Sequence, residues 1–152
     1  MSLDATTILN AVVGHALASG YFEQVNGHEP LSPPTTGVTA AVWTEEIGPA
    51  RGTSGLESTS ARLALFVRLY MPMAQLPSDA IDPNMMAAID ALFTAYSGDF
   101  ELGGLVREVD LLGSYGAPLS GRAGYLKTSG VDYRVFTITL PLIVNDLWEQ
   151  AA

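Results

Sequence analysis

Val131-Asp132-Tyr133-Arg134-Val135-Phe136-Thr137-Ile138-Thr139-Leu140 is the stretch whose reading decides the fold. Arg134, Phe136, Ile138 and Leu140 fall on one side, and Tyr133, Val135, Thr137 and Thr139 on the other. A period of two in β-branched and aromatic residues predicts a strand with at least one buried face. Gly124-Tyr125-Leu126-Lys127-Thr128 stands just ahead of it, separated by Ser129-Gly130. A glycine-containing turn between two such runs predicts a β-hairpin.

Upstream of the hairpin, Leu105 to Leu112 reads as a further strand. Arg107, Glu108 and Asp110 within it point to an edge, or to a face turned toward solvent or a subunit. Gly113 to Gly124, with four glycines and Pro118, reads as a long flexible excursion. Downstream, Pro141 cannot donate to a ladder and marks a strand end or an edge. Leu142, Ile143, Val144, Leu147 and Trp148 then form an apolar tail that must dock on something.

Two earlier strands complete the sheet. In Ser60 to Met71, Leu63, Leu65, Val67, Leu69 and Met71 share one face, opposite Arg62, Ala64, Phe66, Arg68 and Tyr70. The odd-numbered face is predicted to be core. Val38 to Glu45 alternates in the same way. Between these two runs, Glu46 to Thr59 is rich in Gly, Ser and Thr and short of apolar residues. A structureless connection of this length inside a compact domain is uncommon. It reads either as a hairpin arm that orders against a neighbouring subunit or as a loose surface loop.

Two helices flank the strands. Asp4 to Ser19 has a capping candidate in Asp4 or Thr6, an apolar stripe of Leu9, Val12, Val13, Ala16 and Leu17, and Gly20 at its end. Asp82-Pro83 opens the second, with Asp82 as cap and Pro83 at the first helical position, where its missing N–H costs nothing. Its stripe is Met86, Ile89, Leu92, Phe93 and Tyr96. Tyr21 to Gly37, broken by Gly27, Pro30, Pro33 and Pro34, is read as a connecting loop. The order helix, strand, strand, helix, strand, strand, strand predicts an α+β two-layer sandwich. A mainly antiparallel sheet of about five strands would carry both helices on one face.

The 152 residues fit one domain, with no internal repeat and no boundary, and long arms at about 46–59 and 113–124. A chain of this length buries roughly 68–70% of its unfolded surface and needs no metal or disulfide to fold. Only 15% of the residues are charged, and the net charge is −9. That balance lacks the basic patch a phosphate backbone demands. With no cysteine, disulfides, thiolate metal sites and cysteine catalysis are excluded. The N-terminal residues lack a basic region followed by an apolar run, and no apolar run approaches the roughly 20 residues that span a bilayer. The expectation is a soluble, non-secreted protein.

No catalytic constellation emerges. His15 sits beside the apolar stripe of its helix, and His28-Glu29 is far short of a metal site. Glu108 and Asp110 share a strand face and read as a solvated or interface pair rather than an acid–base couple. Met85-Met86 reads as core packing. Gly113-Ser114-Tyr115-Gly116 lacks the lysine and the glycine spacing of a phosphate loop. No metal and no cofactor is expected.

The chain resembles the tail-terminator (tail-completion) proteins of long-tailed bacteriophages, those of actinobacteriophages in particular. The resemblance covers most of the chain in size and element order. It is carried by Val106-Arg107-Glu108-Val109-Asp110-Leu111-Leu112-Gly113, by Gly124-Tyr125-Leu126, by Tyr133 to Pro141 and by Asn145-Asp146-Leu147-Trp148. It implies a structural virion protein, not an enzyme, located in the tail and assembled in the host cytoplasm. It further implies a six-membered ring of identical subunits that caps the tail tube, stops tube polymerisation and offers a surface to the head–tail connector. The partners implied are other copies of the chain, the tail-tube protein and the connector, with DNA only passing through the lumen. Alternative readings are another tail or connector component, such as a tube subunit or head-closure protein, and a small hydrolase using His15 or His28. Candidate subunit contacts are Arg51 and Glu57 on the first arm, Tyr115 and Arg122 on the second, and Arg62 and Arg68 on the non-core strand face. Deleting Gly52 to Ser58 is expected to preserve the fold and block tail completion.

Overall fold

The computed structural model describes residues 3–22, 24–27, 38–50, 58–73, 81–114, 116–128 and 130–149. Two helices, α1 (Ala5–Ser19) and α2 (Ile81–Gly98), accompany six strands. The strands are β1 (Gln24–Asn26), β2 (Thr39–Pro49), β3 (Ser58–Pro72), β4 (Glu108–Val109), β5 (Ser120–Thr128) and β6 (Val131–Glu149). They form one sheet in the order β1-β2-β3-β6, with β4 and β5 both pairing along the far side of β6. Every pairing is antiparallel except β1 with β2. The fold is α+β, as the alternation and the helical stripes require.

The face assignments of β3 and β6 follow the sequence. Leu63, Leu65, Val67, Leu69 and Met71 join Phe136, Ile138, Leu140 and Leu142 in one buried cluster with Ile8, Val12 and Ala16 of α1. Ile81, Met85, Ala88, Ile89, Leu92 and Tyr96 of α2 belong to the same cluster, so both helices cover one face of the sheet. Each large aliphatic side chain buried there contributes about 1.5–3 kcal/mol of transfer free energy. A smaller cluster of Ala41, Tyr70, Tyr133 and Val135, flanked by Trp43 and Leu126, occupies the opposite face.

Helix α1 is capped as expected. Asp4 accepts from the Thr7 backbone N–H at 3.2 Å and from its hydroxyl at 2.7 Å. Gly20 takes φ +77°, the left-handed conformation a side chain disfavours. The stripes are rotated from their expected settings. Leu17 is 59% exposed and Met86 53%, while Ile8 and Met85 are buried in their place. Helix α2 begins at Ile81, so Asp82 lies in its first turn rather than capping it.

Three strand expectations are corrected. Gln24–Asn26, read as loop, is a strand pairing with Thr39–Ala41. With Val25 as its one apolar residue, it carries no alternation to detect. The segment 105–112, read as a strand, is strand only at Glu108–Val109. Glycines 103 and 104, at φ +67° and +91°, and Leu102, at φ +48°, wind the chain before it into successive turns. The apolar tail beyond Pro141 is the continuation of β6, and the side chains of Leu147 and Trp148 lie outside the described residues.

The margins of both expected arms belong to strands. Glu46–Pro49 finishes β2 and residues 58–59 begin β3, while Ser120 to Gly124 opens β5. Pro141 sits inside β6, where its position is legible from the ladder. Its carbonyl accepts from the Asp110 N–H at 2.9 Å, so its absent donor faces the β4 and β5 side. There it falls in the gap between Ser120, opposite Thr139, and Val109, opposite Leu142. The Asp110 carbonyl across from it accepts from the Leu119 N–H instead.

Candidate functional site

Beginning with the backbone, the sheet has open margins on both of its sides among the described residues. On one side β1 covers only Thr39–Ala41 of β2, leaving the outer side of Val42–Pro49 unpaired. On the other, β5 is the last strand and pairs only inward, with β6. Open margins of this kind present main-chain donors and acceptors to another chain. Their side chains differ in charge. Glu45 and Glu46 are exposed on the β2 margin, and Arg122 and Lys127 on the β5 margin.

The sheet face opposite the helices holds a groove of about 600 Å³ between these margins. Cross-strand register builds its floor: Ala41 pairs with Arg68, Arg68 with Thr137, and Thr137 with Arg122, one continuous row across β2, β3, β6 and β5. Directly paired residues point to the same face. Arg68 donates from Nε to the Thr137 hydroxyl at 2.8 Å and lies over the Trp43 ring at 5.3 Å from its centroid. Trp43 is set by an edge-to-face contact with Phe66, centroids 5.9 Å apart. Glu45 lines the groove rim, on the face that alternation from Trp43 gives it, where the β2–β3 register shifts between Thr44 and Glu46.

Of the residues singled out from sequence, the structure brings Arg68 and Arg122 together in this groove. Arg62 sits on the same face of β3 but is turned to the loop ahead of β5. Its Nη2 donates to the Ala117 carbonyl at 3.1 Å, and a Cβ on Gly116 would stand 2.7 Å from its Nε. That Nε is buried without a hydrogen-bond acceptor among the described residues. Arg51, Glu57, Tyr115 and the deletable stretch Gly52 to Ser58 lie outside the described residues, apart from the backbone of Ser58 in β3. Trp43, Phe66 and Thr137 were not singled out, although alternation had already put Phe66 on the non-core face of its strand.

The former acid–base candidates take structural positions. Glu108 is half-buried beside Arg107, with 4.0 Å between them. Asp110, expected on a solvated or interface face, is instead 3% exposed and accepts from the Ser114 N–H at 2.8 Å. Its own carbonyl accepts from Leu119 at 3.3 Å, so Asp110 pins both ends of the loop leading to β5. Gly113 makes that loop possible. At φ +78°, a Cβ there would lie 2.6 Å from the Gly116 carbonyl oxygen.

His15 bridges the two helices. Its Nε2 lies 2.9 Å from the Asp99 carboxylate, and its ring meets the edge of Tyr96 at 5.8 Å and 88°. The Asp99 carboxyl is held below its ordinary range, first by the Gly103 N–H and then by His15. His28 lies outside the described residues. No group of three or more metal-ligating His, Asp or Glu side chains occurs among the described residues, and no helix there is long and apolar enough to cross a membrane.

No protein-family model and no curated protein matches the chain. Among solved structures, one similar to it is a cryo-EM structure of the sheath/tube terminator of PVC, an extracellular contractile injection system, in the extended state. The TM-score is 0.48 and the identity 11%, over 96% of this chain and 58% of that one. The chain thus spans less than two thirds of that neighbour's length.

Proposed function

We propose that this chain is a structural tail protein of the terminator type, acting through shape and sheet margins rather than through a reacting group. Copies join head to tail, the β5 margin of one meeting the β2 margin of the next. A heterologous contact repeated by a closing rotation makes a ring. The ring sits on the end of the tail tube, halts addition of tube subunits and offers its other side to the head connector. In a long-tailed phage this places it in the virion tail after assembly in the host cytoplasm.

The observation that carries this reading is the pair of open margins on opposite sides of one sheet. One bears Glu45 and Glu46 and the other Arg122 and Lys127. Opposite charge on the two edges favours unlike edges over like ones, which is the condition for a head-to-tail ring. The net charge of −9 keeps DNA from adhering as it passes.

The test is electron microscopy of particles made without this protein, combined with native mass spectrometry of the protein mixed with tube ends. The expected results are tails of uncontrolled length or tails detached from heads, and a closed ring on the tube. Tails of normal length attached to heads, or a strict monomer even with tube ends present, overturn the proposal. Rings found only at the head vertex reassign the chain to head closure.

A further inference from the structure

This chain has 16 acidic side chains and 7 basic ones, so a guanidinium without a carboxylate beside it stands out. The groove opposite the helices contains two that form no ion pair among the described residues, with Glu45 as the carboxylate in its lining. Arg68 is half-buried and already restrained, its Nε committed to Thr137 and its flat face set over Trp43. Its two terminal nitrogens have no acceptor among the described residues. Arg122 forms no hydrogen bond or ion pair among the described residues. It stands two strands away in the same cross-strand row, a main-chain separation of about 9–10 Å. Thr139 lines the groove alongside Thr137, and Phe66 and Val135 give it apolar walls.

We propose that this groove binds a short extended segment of a partner protein carrying one or two carboxylates spaced by apolar residues. Arginine's planar fork matches a carboxylate with two parallel hydrogen bonds. Stacking and the Thr137 bond fix the Arg68 fork beforehand, so little rotamer freedom is lost on binding. The apolar walls receive apolar side chains on the same face of the segment as the carboxylates, every second residue of an extended chain. Glu45 on the rim sets an upper limit on the charge tolerated, which argues against a dense polyanion. A nucleic-acid strand also needs many phosphate contacts, and two arginines in a chain of net charge −9 do not supply them. The proposal concerns a single copy, because Arg122 is also one of the two cations of the β5 margin.

The experiment is fluorescence anisotropy with three labelled probes: a peptide in which glutamate and valine take turns at every second position with serines between them, its glutamine counterpart, and a single-stranded oligonucleotide of equal length. The glutamate peptide is expected to bind, and to weaken as NaCl is raised. Arg122→Gln, at an exposed position, and Arg68→Gln each weaken it by roughly tenfold or more, the loss of a charge-assisted contact. Arg68→Lys keeps the charge, loses the fork and weakens binding similarly, whereas Arg107→Gln, outside the groove, leaves it unchanged. Circular dichroism melting confirms that each variant is folded. Equal binding of the glutamine peptide, indifference to Arg122→Gln, or tighter binding of the oligonucleotide overturns the proposal.

Discussion

Arg134 of β6 reaches Asp82 in the first turn of α2 with two donors, Nε to Oδ1 at 3.0 Å and Nη2 to Oδ2 at 3.4 Å. The same guanidinium lies over Tyr125 at 4.5 Å and Phe136 at 5.2 Å from the ring centroids. One side chain therefore fastens the β5–β6 hairpin to the helix layer. Asp82 is 59% exposed and Arg134 only 15%, so stacking outweighs the ion pair. Arg134→Ala is expected to cost about 1–2 kcal/mol and Asp82→Asn less than about 1 kcal/mol. Urea unfolding midpoints measure both. Equal losses at the two positions sink the argument that the rings matter more.

Gly113 is required for two separable reasons, its positive φ and its closeness to the Gly116 carbonyl. Gly103 shares only the first: its φ is +67°, with nothing within 4 Å of an added Cβ. Gly103→Ala is therefore expected to cost about 1 kcal/mol, the left-handed penalty alone. Gly113→Ala costs distinctly more, because the backbone itself must move. Thermal melts of both variants decide this, and a Gly113→Ala protein no less stable than Gly103→Ala contradicts the loop geometry.

How far the sequence carried these conclusions depended on the length of each pattern. In β3 and β6, ten or more alternating residues made strand, face and hairpin plain. The hairpin is set by the pairing of Thr128 with Val131, with Gly130 at φ +77°. In β1 and β4, two or three residues pair because their neighbours hold them there, and no periodicity can develop over that length. Asp110 looked solvated because its burial is created by the loop that folds over it, a tertiary effect. The groove lay hidden for the same reason. Arg68 and Arg122 were each flagged as non-core arginines, but only the β3–β6–β5 register places them in one row.

Asp99 gives the fold an acid limb. Its carboxyl titrates below the ordinary value of 3.8, chiefly through the Gly103 N–H and then through His15. A depressed carboxylate stabilises the native state fully above the unfolded pKa and loses that contribution as pH falls through the folded value. Stability is thus expected to decline below about pH 3.8 more steeply in the wild type than in Asp99→Asn. Urea midpoints across the acid range measure the difference. Parallel curves refute the assignment.

Tyr96 gives the opposite limb. Burial pushes its phenol well above the ordinary value of 10.0, and its hydroxyl donates to the Val12 carbonyl at 3.3 Å. A raised pKa stabilises the native state fully below the unfolded value and loses that contribution as pH rises through the folded one. In an alkaline absorbance titration, Tyr96→Phe is expected to remove a phenol that ionises above the ordinary range. It also costs about 1 kcal/mol at neutral pH, the worth of one buried hydrogen bond. Loss of an early-titrating phenol instead places Tyr96 at the surface.

The proposed joint between copies makes a prediction about one backbone hydrogen. The Pro141 carbonyl faces the β5 side, so the odd-numbered residues of β6 turn their main-chain groups toward that strand. Their partners in β5, Ser120 opposite Thr139 and Arg122 opposite Thr137, therefore point inward, and Gly121, Ala123 and Tyr125 point outward. Ala123→Pro removes an outward N–H and leaves the β5–β6 ladder intact, a substitution edge strands tolerate. Its far-ultraviolet dichroism and melting temperature are expected to stay close to those of the wild type, while ring formation on tube ends is lost. Arg122→Pro, which removes an inward donor, is expected to destabilise the fold itself. If Ala123→Pro assembles as well as the wild type, the β5 margin is not the seam, and the neighbour's strand must add elsewhere.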